Sequence, residues 1–270
     1  MLTFQGADLN YSDQGKGTAV LLLHGFCETS HIWDEWKTDL LEEDLRVITL
    51  DLPGYGRSAE PPADPIIEDY AAATLAVLDE LRVDRCVLIG HSMGGYAALA
   101  LAERHPKRLL GFGLFHSHPY ADSEDKRVDR ERAVQFIGTH GSALFAKQIF
   151  SGLFADHFAS SHPFLIDKLS LRTSRCSPAT LQGSLRAMAA RPDRSSVLAE
   201  SKVPVLLING ELDDRVPFPG RQEQLALPAV AEVIVLSRVG HMGQYEAVRA
   251  TQLAVRRFVR FCEERAGDGN

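Results

Sequence analysis

The amino-acid sequence predicts an α/β protein built on a mainly parallel sheet. Short apolar runs of strand length alternate along the chain with helical patterns, the order expected for a sheet covered by helices on both faces. The run over 19–23 is continuously apolar rather than alternating, as in a strand that is buried on both sides. With 270 residues, of which 45% are hydrophobic, the chain is long enough to bury a sizeable core in one large domain.

The individual elements follow from these patterns. An edge hairpin is predicted over 2–12, before a turn-rich cluster at 13–17. A helix is predicted over 30–41, where Trp33, Trp36 and Leu40 have helical spacing, and others over 67–81, 96–102 and 246–264. The predicted strands are 19–23, 47–50, 87–89, 109–115, 203–208 and 233–236.

Helical patterns replace strands between residues 120 and 200. A charge-rich opening over 122–132 predicts the solvated first turns of a helix, and further helices are predicted over 142–154 and 164–171. Ser177 before Pro178 is typical of a helix N-terminus. We therefore predict a helical insertion at 120–200 in a core formed by 1–119 and 201–270. Six of the 13 phenylalanines lie in this insertion: Phe136, Phe145, Phe150, Phe154, Phe158 and Phe164.

Composition and charge exclude several classes of protein. A net charge of −7 gives no electrostatic basis for nucleic-acid binding. No apolar run approaches the roughly 20 residues that span a bilayer, so no membrane contact is expected. The first residues show no signal-peptide pattern, and the four cysteines are far apart, without metal or redox spacing. We therefore expect reduced thiols and a cytoplasmic location. The sequence does not indicate the oligomeric state.

The sequence Gly90-His91-Ser92-Met93-Gly94 lies between a predicted strand and a predicted helix. Glycines at both ends of such a five-residue turn allow a tight bend that raises the serine hydroxyl above the sheet edge. A free serine is a weak nucleophile, so the turn has chemical meaning only beside a base and an oxyanion site. The alternative interpretation is an ordinary glycine-rich turn.

Further polar residues follow other predicted strands. Phe26, Asp213 and His241 each come just after a strand, and the carboxyl ends of parallel strands meet at one edge of the sheet. The sequence therefore predicts that these residues and Ser92 share a site. His24 and His91 lie at the same edge and could serve packing or hydrogen bonding instead of acid–base chemistry.

His116 and His118 are two residues apart at another strand end, a spacing that could bind a metal. No carboxylate or third histidine stands at a ligand spacing from them in the sequence, so we interpret both as ordinary structural residues.

With these features, the sequence resembles the α/β-hydrolase family along nearly the whole chain. Within the family it is most similar in type to the serine esterase, cofactor-free haloperoxidase and C–C hydrolase members. The matching features, in chain order, are His24-Gly25-Phe26, Asp51-x-Pro-Gly-x-Gly-x-Ser58, Gly90-His-Ser-Met-Gly-Gly95, Gly210-x-x-Asp213-x-x-Val-Pro217 and Gly240-His241.

The resemblance implies a role for each site residue. Ser92 would be the nucleophile, His241 the general base and then acid, and Asp213 the carboxylate that orients His241. The backbone amides of Phe26 and Met93 would form the oxyanion hole. The helical insertion would be a cap domain. No metal or organic cofactor would be needed.

Two positions depart from the family pattern. Cys27 stands where relatives often carry a small residue; its thiol could line the pocket, although packing is the favoured role. Asp214 follows Asp213, which leaves an alternative candidate for the acid. Dehalogenases and epoxide hydrolases of this fold use an aspartate nucleophile, and Ser92 argues against both.

We predict a serine hydrolase that cleaves an ester or related acyl bond of a small-molecule substrate. The phenylalanines of the insertion and its solvated charges favour an uncharged, apolar substrate, unless the rings only join the helices to one another. The alternatives are cofactor-free perhydrolysis, C–C bond hydrolysis, and a small-ligand receptor of the same fold.

Overall fold

A mainly parallel sheet forms the centre of the molecule, as the sequence predicts, and it has seven strands. The computed structural model describes residues 2–60, 65–216 and 220–267. The strands are β1 (Leu2–Phe4), β2 (Ala7–Leu9), β3 (Tyr11–Gln14), β4 (Ala19–Leu23), β5 (Arg46–Leu50), β6 (Cys86–His91), β7 (Leu109–Phe115), β8 (Val205–Gly210) and β9 (Ala231–Leu236). Strands β1 and β2 form a separate antiparallel hairpin. The large sheet has the order β3-β5-β4-β6-β7-β8-β9, and only β3 runs antiparallel to its neighbour.

Helices cover this sheet and extend beyond it. They are α1 (Thr38–Leu41), α2 (Ile67–Glu80), α3 (Met93–Arg104), α4 (Glu124–Ser151), α5 (Asp156–Ser161), α6 (Pro163–Thr173), α7 (Pro178–Ala190), α8 (Ser195–Ala199), α9 (Gly220–Glu223), α10 (Gly243–Glu246) and α11 (Val248–Gly267). Short 3-10 turns occupy Ser30–Trp33, Pro106–Arg108 and Gln224–Ala226. None of the helices in the described part of the chain is both long enough and apolar enough to cross a membrane.

The two faces of the sheet bury two different hydrophobic clusters. The side chains of β4 alternate between the two faces of the sheet. All five residues are buried because both faces are covered. Leu21 and Leu23 pack in the cluster that includes α2 and α3, whereas Leu22 packs on the other face with Trp33 and Phe258 of α11. The continuous apolar run of this strand is thereby explained, and the layered α/β architecture is confirmed.

The prediction of a continuous helix over 30–41 is wrong. The chain forms a 3-10 turn at Ser30–Trp33 and a single α-helical turn, α1, separated by Asp34 to Lys37. Trp33, Trp36 and Leu40 are nevertheless fully buried. Their spacing reports burial against the sheet, and Trp36 also donates from Nε1 to Thr251 of α11 at 2.9 Å. Packing of the two indoles therefore outweighs the local helical pattern.

The residues between β7 and β8 contain helices α4 to α8 and no strand. Ser177 begins α7 as predicted, since its hydroxyl accepts a hydrogen bond from the Thr180 amide at 3.1 Å. Helix α4 is kinked at Gly141, where φ is 77° and ψ is 172°. Only glycine adopts this conformation readily, and the kink divides α4 into two helical parts at Gly141.

Candidate functional site

Ser92 lies on a strained turn between β6 and α3. Its φ of 50° and ψ of −113° are rarely adopted by a residue with a side chain. The turn depends on its glycines: a Cβ at Gly90 would lie 2.2 Å from the Gly94 carbonyl oxygen, and one at Gly94 would lie 2.6 Å from the His24 oxygen. Ser92 is fixed by a 2.9 Å hydrogen bond from its amide to the Phe115 carbonyl. The sequence pattern thus predicts the turn correctly.

The loop after β4 comes close to this turn. A Cβ at Gly25 would lie 2.8 Å from Oε2 of Glu28 and 3.1 Å from Cβ of Ser92, so a side chain there would crowd both residues. Phe26 follows directly and lines the same cavity as Ser92. Met93 is the first residue of α3, and the first amides of a helix have no intrahelical acceptor. Two backbone segments therefore converge beside the Ser92 side chain.

His241 and Asp213 form a buried hydrogen-bonded pair near Ser92. His241 donates from Nδ1 to Asp213, with distances of 3.0 Å to Oδ1 and 2.9 Å to Oδ2. This bond leaves Nε2 as the nitrogen that can accept a proton. Both His241 and Ser92 line the cavity. The structure thus brings Ser92, Asp213 and His241 together at the edge where the sequence placed them.

The structure also distinguishes between the two neighbouring aspartates. Asp213 is buried and contacts His241, whereas the Asp214 side chain is 75% exposed and lies 3.1 Å from Nε of Arg215. Of the two, Asp213 is the one that contacts the His241 imidazole. Pro217, at the end of the sequence motif, lies outside the described residues.

A second histidine, His116, contacts the same carboxylate. Its Nδ1 lies 3.0 Å from Oδ2 of Asp213, and both side chains are fully buried. Burial lowers the pKa of His116 to about 4, so the ring is neutral at pH 7 and donates from Nδ1. Burial opposes ionisation of Asp213, but the charge of His241 and the hydrogen bonds from both histidines outweigh it and hold the pKa of that carboxyl well below its usual range.

His116, Asp213 and His241 also form the one group in the described residues whose donor atoms could hold a metal, all lying within 4.8 Å of one another. His118 is not part of it; its Nε2 lies 3.2 Å from the Tyr96 hydroxyl. The interpretation of His116 as an ordinary structural residue is therefore incomplete, since it contacts Asp213. A metal would have to displace the Nδ1 protons that now bind Asp213.

A second buried carboxylate–imidazole pair, formed by Glu28 and His91, lies next to the Ser92 turn. Glu28 Oε2 lies 2.8 Å from Nδ1 of His91 and accepts from the Gly25 amide at 2.5 Å. His91 Nε2 donates to the His241 carbonyl at 2.9 Å. The pair therefore joins the loop after β4, the Ser92 turn and the His241 loop.

This pair is an ion pair, because both ring nitrogens of His91 face oxygen acceptors. Burial opposes both charges. It is outweighed by the mutual attraction and the hydrogen bonds, so the pKa of His91 is raised and that of Glu28 is lowered. Nothing in the five-residue serine pattern indicates the pair, and the only signal for Glu28 in the sequence is an acid three residues after Gly25.

Glu246 holds the turn that carries His241. Its carboxylate accepts hydrogen bonds from the amides of Gly240 and Ala155 at 3.0 Å and from Met242 at 3.1 Å. The His241 amide itself donates to the Leu153 carbonyl at 2.8 Å. The helical segment after β7 therefore takes part in placing this imidazole.

His24 and Cys27 have structural roles. His24 donates from Nδ1 to the Gly25 carbonyl and accepts from the Leu52 amide, which joins the loops after β4 and β5. Cys27 is buried in the core, and burial raises the pKa of its thiol well above the ordinary value. It lies beside a separate small cavity and is absent from the described wall of the cavity around Ser92, as the packing interpretation predicts.

The cavity above Ser92 has a volume of about 330 Å³ and a mixed wall. Of the six phenylalanines of the helical segment, Phe145 alone is among its described lining residues, and Phe164 is 87% exposed. The interpretation that the charges of 122–132 form a solvated surface is wrong in part, because Lys126, Asp129 and Arg130 line the cavity. Their side chains lie on the face of α4 that is turned toward Ser92.

Comparison with known proteins gives one family match over most of the chain. The family model described as the alpha/beta hydrolase fold matches residues 18–248. A solved esterase from Thermogutta terrifontis is 27% identical, with a TM-score of 0.89 over 95% of this chain and 94% of the other.

Two curated relatives carry other names. The chain is 26% identical to a 2-hydroxy-6-oxononadienedioate/2-hydroxy-6-oxononatrienedioate hydrolase of Cupriavidus pinatubonensis, over 90% of this chain and 87% of that protein. It is 38% identical to a putative non-heme haloperoxidase of Mycobacterium phage D29, over 38% of this chain and 37% of that protein. The chain spans less than two thirds of the length of the first curated relatives that it matches.

Proposed function

Because the chain belongs to the alpha/beta hydrolase fold family, we propose that it is a serine hydrolase that cleaves an ester or related acyl bond of a small molecule through an acyl-enzyme on Ser92. The observation that carries this proposal is the buried His241–Asp213 pair in the cavity that Ser92 lines. A nucleophile, a base and an orienting carboxylate in one place are the parts that acyl transfer requires.

In the first step, Oγ of Ser92 attacks the substrate carbonyl while His241 takes the serine proton on Nε2. Asp213 remains ionised, holds the Nδ1 proton in place and stabilises the imidazolium. The hydrogen bonds that Asp213 accepts from His116 and from the Arg215 amide, at 3.0 and 2.9 Å, keep its charge in a fixed position. The leaving alkoxide then takes the proton from Nε2.

The oxyanion that forms would accept hydrogen bonds from the amides of Phe26 and Met93. Met93 directly follows Ser92, and Phe26 follows Gly25, where a Cβ would lie 3.1 Å from Cβ of Ser92. Each such donor is worth on the order of a hundredfold in rate. Water then attacks the acyl-enzyme, with His241 again as base, and Ser92 is released with the acid product.

The helices between β7 and β8 would form a cap, residues 120–200, over a core of residues 1–119 and 201–270. Two contacts support this division. Residues of α4 and α7 supply part of the cavity wall, and the Leu153 carbonyl binds the His241 amide. A cap of this kind shapes the acyl pocket and excludes bulk water from the acyl-enzyme.

A serine-directed fluorophosphonate tests the proposal. It should label the wild-type protein once, at Ser92, and p-nitrophenyl esters should give a burst of one p-nitrophenol per active site when deacylation is slow. Labelling that persists in Ser92→Ala would exclude the proposed nucleophile.

The named relatives support one alternative, in which the same residues hydrolyse a C–C bond or catalyse perhydrolysis. A third possibility is a receptor that retains the site to sense a ligand. Substrate turnover separates the classes: a vinylogous 1,5-diketone consumed faster than any ester favours the C–C hydrolase, and a halogenation signal that depends on acetate and peroxide favours the perhydrolase. Saturable binding with negligible turnover favours the receptor.

A further inference from the structure

Three cationic side chains line the cavity: Lys126, Arg130 and Arg215. The lining carboxylates among the described residues are Glu28 and Asp129. Glu28 is neutralised by His91, and Asp129 lies 3.3 Å from the guanidinium of Arg132. Positive charge is therefore in excess among the side chains that line the cavity.

The partners of the two arginines do not remove this excess. Asp122 binds both Arg130 and Arg191, so one carboxylate serves two guanidinium groups. Arg191 is almost fully buried and lies 4.0 Å above the ring of Tyr96, a residue of the cavity wall. Arg215 pairs with the exposed side chain of Asp214 and donates to the Gly152 carbonyl.

Lys126 has no carboxylate within ion-pair distance in the part of the chain that the structure describes. Its position is unfavourable for a cation in two ways. It lies in the first turn of α4, at the positive end of the helix, and burial together with Arg130 and Arg215 lowers its pKa against the weaker opposing attraction of Asp122 and Asp129. A cation held at such a place is stabilised when an anion binds beside it.

We propose that the cavity accepts acyl compounds with a carboxylate at the end remote from the reacting carbonyl, and that Lys126, assisted by Arg130 and Arg215, binds this carboxylate. The inference rests on the proposed function and replaces the expected preference for uncharged substrates. Phe145, Leu185 and Met188 line the same cavity and would contact the apolar chain between the two ends.

The charges favour a single small carboxylate over a polyphosphate. One ammonium without a counter-ion matches one negative charge, and a cavity of about 330 Å³ suits a small acyl compound. A half-ester of a dicarboxylic acid has the required form: an ester carbonyl, a short methylene chain and a terminal carboxylate.

The test compares two p-nitrophenyl esters of equal acyl length, the valerate and the mono-glutarate. The wild-type protein should prefer the glutarate in kcat/KM. Lys126→Met should lower kcat/KM for the glutarate about tenfold relative to kcat/KM for the valerate, as expected for one partly screened charge contact. Lys126→Arg should retain the preference. Lys147→Met, at an exposed position on the same helix, is the matched control and should behave as the wild type.

A wild-type preference for the valerate, or an equal fall of both values in Lys126→Met, would overturn the proposal. A preference for glutaryl-CoA over the p-nitrophenyl ester that depends on Lys126 would also overturn it in favour of a CoA site. If neither ester is hydrolysed, calorimetric titration of glutarate into Ser92→Ala decides independently of catalysis. Glutarate binding that weakens about tenfold in Ser92→Ala/Lys126→Met would support the carboxylate subsite while excluding the esterase activity. Absence of glutarate binding to Ser92→Ala would exclude the subsite.

Discussion

Replacement of Glu28 by glutamine is the sharpest test of how the site is supported. The Glu28 and His91 side chains are 2% and 1% exposed, so their charges have no solvent to replace a lost partner. In the wild type, Oε2 of Glu28 accepts from both the Gly25 amide and His91. A glutamine presents either an oxygen or an amino group there. An oxygen there can still accept both hydrogen bonds but carries no full negative charge, and an amino group loses at least the bond from Gly25. The charge that stabilises protonated His91 is therefore lost in either case.

The size of the effect follows from this geometry. A buried group left without its hydrogen bond costs about 1–3 kcal/mol, and a broken buried ion pair about 3–5 kcal/mol. Because His91 can lose its proton, we expect a value between these limits, about 2–4 kcal/mol of unfolding free energy, or roughly 5–12 °C in Tm for a chain of this length. Since Gly25 precedes Phe26, kcat/KM should also fall, by about tenfold.

The pH dependence of stability gives a second readout. The pKa of His91 is raised on folding, so its contribution is complete below the ordinary histidine value of about 6.5 and is lost as pH rises through the raised pKa. The pKa of Glu28 is lowered, so its contribution is present above the ordinary carboxyl value and is lost as pH falls through the lowered pKa. In Glu28→Gln the loss of stability on the alkaline side should shrink.

Thermal unfolding between pH 5 and pH 9 and ester kinetics at pH 7.5 measure these effects. Glu35→Gln is the control, since this substitution removes the same charge at an exposed position. If Glu28→Gln unfolds at the same temperature as Glu35→Gln and keeps the wild-type pH slope, the pair is not a buried ion pair and the reasoning is refuted.

Other variants test the rest of the site. Asp213→Asn should lower kcat by about 10⁴-fold, and Asp214→Asn less than threefold; the reverse order in ester assays would exchange their roles. His116→Phe removes one hydrogen bond to Asp213 and should lower kcat/KM about tenfold, with the binding of glutarate to the same variant unchanged. Incubation with EDTA should leave ester hydrolysis unchanged, and loss of activity restored by a divalent cation would show that a metal is required. Gly90→Ala should prevent accumulation of folded protein, measured by circular dichroism, because its Cβ would lie 2.2 Å from a backbone oxygen.

The fold was predictable because its signals are local and repeated. A strand buried on both faces is a short apolar run, and a serine turn needs glycines at fixed spacing, so β4, β6 and the Ser92 turn could be located from the sequence. The prediction of a helix over 30–41 failed because the helical spacing of Trp33 and Trp36 indicates only that both side chains face the sheet. Helix type there depends on packing with α11, which is distant in sequence.

The supporting residues of the site could not be predicted, for a related physical reason. Glu28 and His91 are 63 positions apart, and His116 and Asp213 are 97 apart. Their pairing depends on which strand ends become neighbours in the sheet. Lys126 was misinterpreted because a charged first turn has the same pattern whether it faces solvent or a cavity. Which of the two environments applies depends on how α4 is oriented relative to the sheet.

The kink at Gly141 offers a single point from which the shape of the cavity can be engineered. Lys126 and Arg130 line the cavity from the part of α4 before the kink, and Phe145 and Ile149 line it from the part after. A Cβ at Gly141 would meet no atom within 4 Å, so Gly141→Ala introduces no clash and acts only through the backbone. Libraries at this position would therefore alter the angle between two intact walls, and with it the length of acyl chain accepted, while every lining side chain is retained.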